Sequence, residues 1–312
     1  YYCNLCLTNE KVFMNKYRLI LSFIAIIATL SVFGQQKSSA CKYLKSASES
    51  YCEENFKKST KYLKKLVKNY PEHTLIDEAN FAIASSFQKR GKNDQAEAGY
   101  LKLLELDNTQ AVDSFGYELF DCNYMQAACR NILIPDFLPS LQHESCLNLA
   151  SIAFDKGDVQ SAYQYIRKAD KKYRYWFGCG TGDYEEDMRL SQYYSRYYEA
   201  INQNDSALTI VLPYVFEPAA FPNMQYNNII ERTKKLLLTK YGIGQYKALL
   251  DTAIENIIQE NLGDDHHTSY RYYVLFEGVY IPASPMYLFE HNGDKNEVIK
   301  FIKNTGFYQA IQ

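Results

Sequence analysis

The sequence predicts an all-α fold, an α-solenoid of antiparallel helix pairs with a small C-terminal cap made of a β-hairpin and a helix. Apolar and small residues recur at helical spacing through most of the chain, a two-helix pattern repeats, and β-forming residues concentrate near the C-terminus. The 47% hydrophobic and 22% charged residues are ordinary for a globular protein. A net charge of −2 gives no reason to expect nucleic acid as a partner, since phosphate binding needs a basic footprint.

Residues 14–35 predict a secretory signal peptide. Lys16 and Arg18 precede an apolar run at residues 19–33, which ends at small and polar residues. This run is shorter than the roughly 20 residues that a membrane-spanning helix needs, so a retained anchor is the weaker alternative. Residues 1–13 precede the signal and are interpreted as an upstream leader. We therefore expect an exported protein, either periplasmic or associated with the envelope.

Export makes disulfides chemically possible, and buried free thiols are an equal alternative. A lipid on Cys41 is a weaker prediction, because the residue three positions earlier is not apolar. Cys3 and Cys6 form a lone C-x-x-C in the leader without a second ligand pair, so no zinc site is expected. The six cysteines after the predicted signal peptide are Cys41, Cys52, Cys122, Cys129, Cys146 and Cys179.

Helical hairpins follow from a repeated pattern of small residues around a turn. In residues 77–110, Ala84, Gly91 and Ala96 combine two helical stretches with a turn between them. Residues 146–173 repeat this order at Ala150, Gly157 and Ala162 without a gap. Residues 48–73 and 190–215 are weaker copies, and residues 111–142 are either a degenerate copy or an insertion.

This pattern resembles the tetratricopeptide repeat family, and the likeness covers roughly residues 40 to 220; the repeat domain is placed at residues 36–220. Residues 69–87 are also similar to the repeat region of periplasmic and lipoprotein assembly factors of the bacterial outer membrane, which favours an envelope location. The family mostly binds other proteins, and the first helix of each pair lines its concave groove. The resemblance therefore implies groove residues at Phe81, Ser85, Gln88, Lys89, Ser151, Phe154, Arg189, Gln192 and Arg196.

Two further segments complete the predicted organisation. Residues 221–262 predict one more helical hairpin, with Gly242 and Gly244 at its turn. Residues 263–312 predict an α+β cap, in which a β-hairpin turns at Glu277 and Gly278 and a helix begins after Asp294. This cap is expected to cover an open end of the solenoid.

The glycine-rich stretch FGCGTGDYEED at residues 177–187 is interpreted as a connector, with the next helix starting near Asp187. It lacks the lysine of a phosphate loop, and its carboxylates would repel phosphate. Contact with a partner through Trp176, Phe177 and Tyr184 is one alternative. Metal or redox chemistry at Cys179 is another.

The remaining candidate motifs each have a structural interpretation as well as a functional one. The motif HESCL at His143 lacks the second histidine of a zinc protease, and His266 and His267 indicate a polar loop or a weak metal site. A tyrosine cluster at residues 193–198 is expected to pack inside the repeat. A run of lysines at residues 57–68 predicts a solvated helix face, or alternatively a surface for an acidic partner or an anionic membrane.

Together these observations predict a non-catalytic protein-binding scaffold of the bacterial cell envelope that holds a protein segment in its groove. No cofactor and no metal are expected. The partner is a protein, with peripheral association with a membrane as a further prediction. The first alternative is a periplasmic immunity protein that neutralises an interbacterial toxin, and the second is a redox enzyme that uses Cys179. Trp176 and Tyr184 complete the predicted partner-binding residues.

Overall fold

The computed structural model describes residues 40–73, 76–106, 141–174, 180–216, 224–242, 244–261, 270–283 and 294–311. The chain divides into two compact units, Tyr1–Ser145 and Cys146–Gln312. The described residues are mostly helical, so the predicted helical class is confirmed. None of the helices in these ranges has the length and apolar character that crossing a membrane requires.

The first unit is built from helices that pack in chain order. Helix α2 packs against α3, and α3 packs against α4. Their shared core contains Leu63 and Leu66 from α2 together with Ala79 and Ala82 from α3. The Asn55 side chain caps the start of α2 by accepting a hydrogen bond from the Lys58 N–H at 3.2 Å. The helices are α1 at residues 40–52, α2 at Phe56–Asn69, α3 at Ile76–Lys89 and α4 at Asn93–Leu103.

The second unit continues the helical arrangement. Helix α7 packs against α6, α8 and α9, and α9 also packs against α8 and α10. A π-helical turn at Lys168–Lys172 extends α6, and a 3-10 turn at Leu212–Tyr214 extends α8. The helices are α5 at Leu141–Asp155, which begins just before the unit boundary, α6 at Val159–Arg167, α7 at Gly180–Ala200, α8 at Asn204–Val211, α9 at Met224–Tyr241 and α10 at Gln245–Glu255.

A three-stranded antiparallel sheet follows α10 in the order β1-β2-β3. The predicted hairpin is confirmed, because β2 and β3 join at Glu277 and Gly278, which both have positive φ as a tight hairpin turn requires. Asp294 caps α11 as predicted, accepting a hydrogen bond from the Asn296 N–H at 2.8 Å. The elements are β1 at Ile258–Asn261, β2 at Tyr270–Phe276, β3 at Val279–Pro282, α11 at Lys295–Lys303 and α12 at Gly306–Ala310.

The sheet and the helices of the second unit share one core. Val274 and Ile281 are fully buried and belong to the same apolar cluster as Leu212 and Leu250. Phe307 from α12 joins this cluster and packs edge-on against Phe216. The C-terminal elements are therefore part of the folding core of the second unit.

Two predicted boundaries are wrong. The helix predicted to run through residue 261 ends at Glu255, and Ile258–Asn261 forms a strand that pairs with β2. Helix α7 begins at Gly180, not near Asp187, so part of the glycine-rich stretch lies inside the helix. Carboxylates in a first helical turn are favoured by the positive end of the helix dipole, which offsets the low helix propensity of glycine.

Among the described residues, four helical hairpins close with the same backbone turn. In each, a residue with positive φ donates its N–H to the carbonyl three residues earlier. The next residue donates to the carbonyl five residues before itself, and the second helix begins immediately afterwards. These paired bonds form a Schellman motif. The positive-φ residues are Glu54, Gly91, Gly157 and Asn202.

Small buried residues occupy equivalent positions around these turns. A small side chain lies seven residues before each positive-φ residue and another lies five residues after it, all at most 1% exposed. They let the two helices of a pair approach closely, and Ser195 additionally donates to the Ala207 carbonyl at 3.0 Å. The predicted helix pairs therefore share one packing register. These residues are Ala47, Ala84, Ala150 and Ser195 before the turn, and Ser59, Ala96, Ala162 and Ala207 after it.

The described cysteines divide into two chemical states. Cys41 and Cys52 are disulfide-bonded, whereas Cys146 is free and buried. A disulfide-bonded sulfur has no thiol to accept a lipid, so the prediction of a lipid on Cys41 is contradicted. Burial raises the pKa of the Cys146 thiol to about 12, against the opposing charges of Lys168 and Lys172. A thiol that stays protonated is a poor nucleophile, so Cys146 acts as a small apolar core residue.

Candidate functional site

An open groove runs between α7 and α9 in the second unit and encloses about 920 Å³. We call it the α7–α9 groove. Its side chains supply guanidinium, ammonium, carboxylate and amide groups, so both donors and acceptors of hydrogen bonds line it. The lining residues are Gln192, Arg196, Glu199, Ala200, Asn204, Asn228, Glu231, Arg232, Lys235, Leu236 and Thr239.

Glu199 organises the charges at the centre of the α7–α9 groove. Its carboxylate accepts hydrogen bonds from Arg232 and from Lys235, the latter at 2.7 Å. Glu199 and Arg232 are mostly shielded from water, with side chains 17% and 25% exposed, whereas Lys235 is 72% exposed. One carboxylate thus holds two cations, and the arrangement fixes α7 against α9 while leaving the Lys235 ammonium at the mouth.

The guanidinium groups of Arg196 and Arg232 both line the α7–α9 groove. Burial lowers the pKa of Arg232; the Glu199 carboxylate opposes this effect, and the nearby Arg196 cation adds to it. A guanidinium remains protonated at physiological pH despite such a shift. Arg196 and Arg232 therefore place two like charges near each other, and each is balanced by a carboxylate, Asp155 for Arg196 and Glu199 for Arg232.

Arg196 of the α7–α9 groove also contacts α5. This side chain pairs with Asp155 at 3.1 Å and its guanidinium carbon lies 4.4 Å from the centre of the Phe154 ring. Ser151 and Tyr193 approach each other at 3.5 Å one turn farther along the two helices. The structure therefore brings together Ser151, Phe154, Gln192 and Arg196, all of which the sequence predicts as groove residues.

Two other predicted residues of this unit face elsewhere. Arg189 approaches Glu186 at 3.5 Å on its own helix and does not line the α7–α9 groove. Tyr184 is half-buried and packs its ring 5.4 Å from that of Tyr214 at the edge of the core. Trp176 lies outside the described residues.

The predicted residues of the first unit form a separate group on α3. Phe81 packs its ring 5.5 Å from that of Tyr100, and Gln88 accepts a hydrogen bond from the Tyr100 hydroxyl at 2.9 Å. Tyr100 is fully buried and contacts α3 of its own hairpin. Ser85 lies 2.8 Å from the Tyr51 hydroxyl, and Lys89 is exposed.

An equivalent contact joins consecutive first helices in both units. Tyr51 precedes its positive-φ turn residue by three positions and contacts Ser85, which precedes the next one by six. Phe154 and Arg196 occupy these same two positions around Gly157 and Asn202. The first helices are thus related by the same side-chain register, which is the relation that a repeated groove requires.

The tyrosine cluster is largely internal packing. Tyr194 donates to Asp170 at 2.9 Å, and Tyr163 stacks on Tyr197 with ring centres 4.3 Å apart. Burial alone would raise the pKa of Asp170, but hydrogen bonds from Lys171, Tyr194 and Arg174 lower it below its ordinary value. These contacts hold the π-helical turn against α7, and they explain the cluster without a ligand.

Sequence reasoning missed the α9 side of the α7–α9 groove. Glu199 on α7 and Arg232 and Lys235 on α9 were not predicted as site residues. The sequence predicts α9 as the first helix of a further hairpin that turns at Gly242 and Gly244. Counting back seven residues from Gly242 places Lys235 where the other pairs have a small residue, so the repeat register gave only a weak signal for the groove on this helix.

The described ranges contain no cluster of three or more metal-binding side chains. Residues 175–179, including Cys179, and His266 and His267 lie outside the described residues. Comparison with protein-family models, with curated proteins and with solved structures gave no match.

Proposed function

We propose that this chain is an exported, non-catalytic scaffold of the bacterial cell envelope that holds an extended protein segment in the α7–α9 groove of a solenoid resembling tetratricopeptide repeats. The observation that carries the proposal is the groove itself, which is open, polar and framed by α9 and by α7, the first helix of one of the repeated hairpins. Repeats of this architecture stack into extended concave surfaces that suit chain-like ligands.

The groove chemistry favours a peptide over a small apolar ligand. Gln192, Asn204 and Asn228 present amide groups that both donate and accept, as the backbone of an extended peptide does. Arg196 and Lys235 add cations at the rim, where Arg196 is paired with Asp155 and Lys235 with Glu199, so the groove offers both signs of charge to a bound segment. The lining offers amides, carboxylates, cations, one hydroxyl at Thr239 and apolar surface at Ala200 and Leu236, a set suited to binding an extended chain.

Two features support the predicted export. The half-cystines at Cys41 and Cys52 are typical of an oxidising compartment outside the cytoplasm. Residues 14–35 also carry the pattern of a secretory signal. An envelope location follows from these features and from the resemblance to outer-membrane assembly factors.

The test places a photocrosslinking amino acid at Asn228 inside the groove and, as a matched control, at Gln160 on α6. Both are exposed helical amides of the second unit. We expect Asn228 to crosslink in intact cells to a protein whose contact maps to one extended segment, and Gln160 to give no such adduct. The Gln192→Ala/Asn228→Ala double variant should bind a synthetic peptide of the crosslinked segment about 30-fold more weakly, since each of the two hydrogen bonds lost is worth about 1 kcal/mol.

Equal crosslinking at the two positions, or unchanged affinity of the double variant, would overturn the groove as the binding site. A single equimolar toxin partner in the adduct would favour the immunity alternative over the scaffold. Circular dichroism of each variant checks that the helices remain folded.

A further inference from the structure

Helix α2 carries a dense row of positive charge, which we call the lysine stripe. The helix contains no acidic residue, and every one of its lysines is exposed. Within the described residues, none of these lysines forms an ion pair with a carboxylate. The stripe consists of Lys57, Lys58, Lys61, Lys64, Lys65 and Lys68.

Helical geometry puts these side chains on one side of α2. At 3.6 residues per turn the six lysines fall within a sector of about 120° and along about 16 Å of the axis. The opposite side carries Leu63 and Leu66, which are fully buried against Ala79 and Ala82. The core of the first unit therefore holds the lysine stripe outward, and the apolar side of α2 is not free to insert into a bilayer.

The composition of the lysine stripe indicates the kind of partner. Lysine is depleted from protein–protein interfaces, which are instead anchored by aromatic residues and arginine in an apolar centre. The stripe consists of lysines, and the ring of Phe87 beside it already contacts the Lys64 ammonium, 5.1 Å from the ring centre, and the Arg90 guanidinium. Lysine is a compact point charge on a flexible stem, and it suits many equivalent anionic groups on a plane better than one shaped pocket.

We propose that the lysine stripe docks the first unit onto the headgroups of an anionic lipid bilayer by electrostatic attraction without insertion. The lysines replace the mutual repulsion of six like charges with attraction to lipid phosphates. This contact is independent of the α7–α9 groove, which belongs to the other unit. Nucleic acid is disfavoured because the chain as a whole is slightly acidic, with a net charge of −2.

The experiment compares the chain purified from its host on vesicles of phosphatidylglycerol mixed with phosphatidylcholine and on vesicles of phosphatidylcholine alone. The stripe variant is Lys57→Gln/Lys61→Gln/Lys65→Gln. Its control carries the same change of charge at three exposed lysines elsewhere in the first unit, and is Lys42→Gln/Lys92→Gln/Lys102→Gln. All six positions are on the surface, so both variants should keep the helical circular dichroism spectrum of the wild type.

We expect the wild type to sediment with the anionic vesicles and to dissociate as salt is raised. Dissolved salt screens the attraction between the lysines and the lipid phosphates, over about 8 Å at physiological ionic strength. The stripe variant should lose partitioning by on the order of 100-fold, since each lysine near the surface contributes about fivefold. The control variant should retain its partitioning within about threefold.

Three results would overturn the proposal. The first is the same loss in both variants, which would assign the effect to net charge. The second is equal binding to the uncharged vesicles. The third is binding of duplex DNA or of an acidic peptide to the lysine stripe while the anionic vesicles remain free of protein.

Discussion

The buried carboxyl group of Glu78 makes the stability of the first unit depend on pH. This side chain lies in the first turn of α3 and is only 7% exposed, and within the part of the chain that the structure describes its Oε2 atom has no hydrogen-bond partner. Burial raises the pKa of Glu78 from its ordinary value of 4.5 to about 7; a backbone hydrogen bond opposes this rise and the neighbouring Asp77 adds to it. The folded state therefore favours the protonated, uncharged carboxyl.

The sign and size of the effect follow from proton linkage. Between pH 4.5 and pH 7 the folded state holds the Glu78 proton more tightly than the unfolded state, so the free energy of unfolding falls as pH rises. Below pH 4.5 the stabilising contribution is fully present, and above pH 7 it is lost. A shift of this size corresponds to about 3 kcal/mol.

The perturbation is Glu78→Gln, which removes the charge and keeps the shape of the side chain. The assay is urea unfolding followed by circular dichroism, at a pH below 4.5 and at a pH above 7. At the higher pH the variant should be more stable than the wild type by about 3 kcal/mol, and at the lower pH the two should be nearly equal. The exposed Glu72→Gln variant is the control and should follow the wild type at both values.

Parallel pH profiles for the wild type and Glu78→Gln would refute the reasoning. A variant that is destabilised at the higher pH would do so as well. Either result would mean that the Glu78 carboxylate is satisfied in the folded state by water or by neighbouring groups.

Two further predictions concern the helical hairpins. Gly157→Ala should lower the free energy of unfolding by about 1 kcal/mol, because the φ of +76° at this position strains a residue with a Cβ atom. Asn202→Gly should raise the free energy of unfolding slightly, because it removes the same strain. Thermal unfolding measures both variants, and an unchanged stability of Gly157→Ala would contradict the argument. Gly99→Ala should cost about 1–3 kcal/mol in urea unfolding, because the new Cβ would lie 2.8 Å from that of Ala84. Adding Ala84→Gly should recover part of this loss, and a stabilising Gly99→Ala would show that helix propensity outweighs the close contact.

The hairpins could be predicted from the sequence because their signals are local. Gly91 and Gly157 mark positive φ, and Ala84 and Ala150 mark close helix contacts within a few residues of each turn. The strand β1 could not be predicted in the same way. Ile258 continues the apolar spacing of α10, and what makes it a strand is pairing with Tyr273, which lies beyond the local window.

The candidate site was predicted on one side only. Gln192 and Arg196 followed from the repeat register and do line the α7–α9 groove. Arg189 lies on the same helix, α7, and was predicted from the same register. Its guanidinium approaches the carboxylate of Glu186, and Arg189 does not line the groove. The contribution of Arg232 depends on its ion pair with Glu199, and two residues of different helices reveal such a pair only when the fold has brought them together.

The backbone turn shared by the four hairpins bears on which substitutions the repeats tolerate. Glu54 and Asn202 hold the same backbone path as the glycines at the other two turns, at a cost of about 1 kcal/mol each. Because a residue other than glycine occupies this position at a modest cost, a turn can lose its glycine while the hairpin around it persists. Copies of the repeat within one chain can therefore differ in sequence at this position while keeping the same backbone structure.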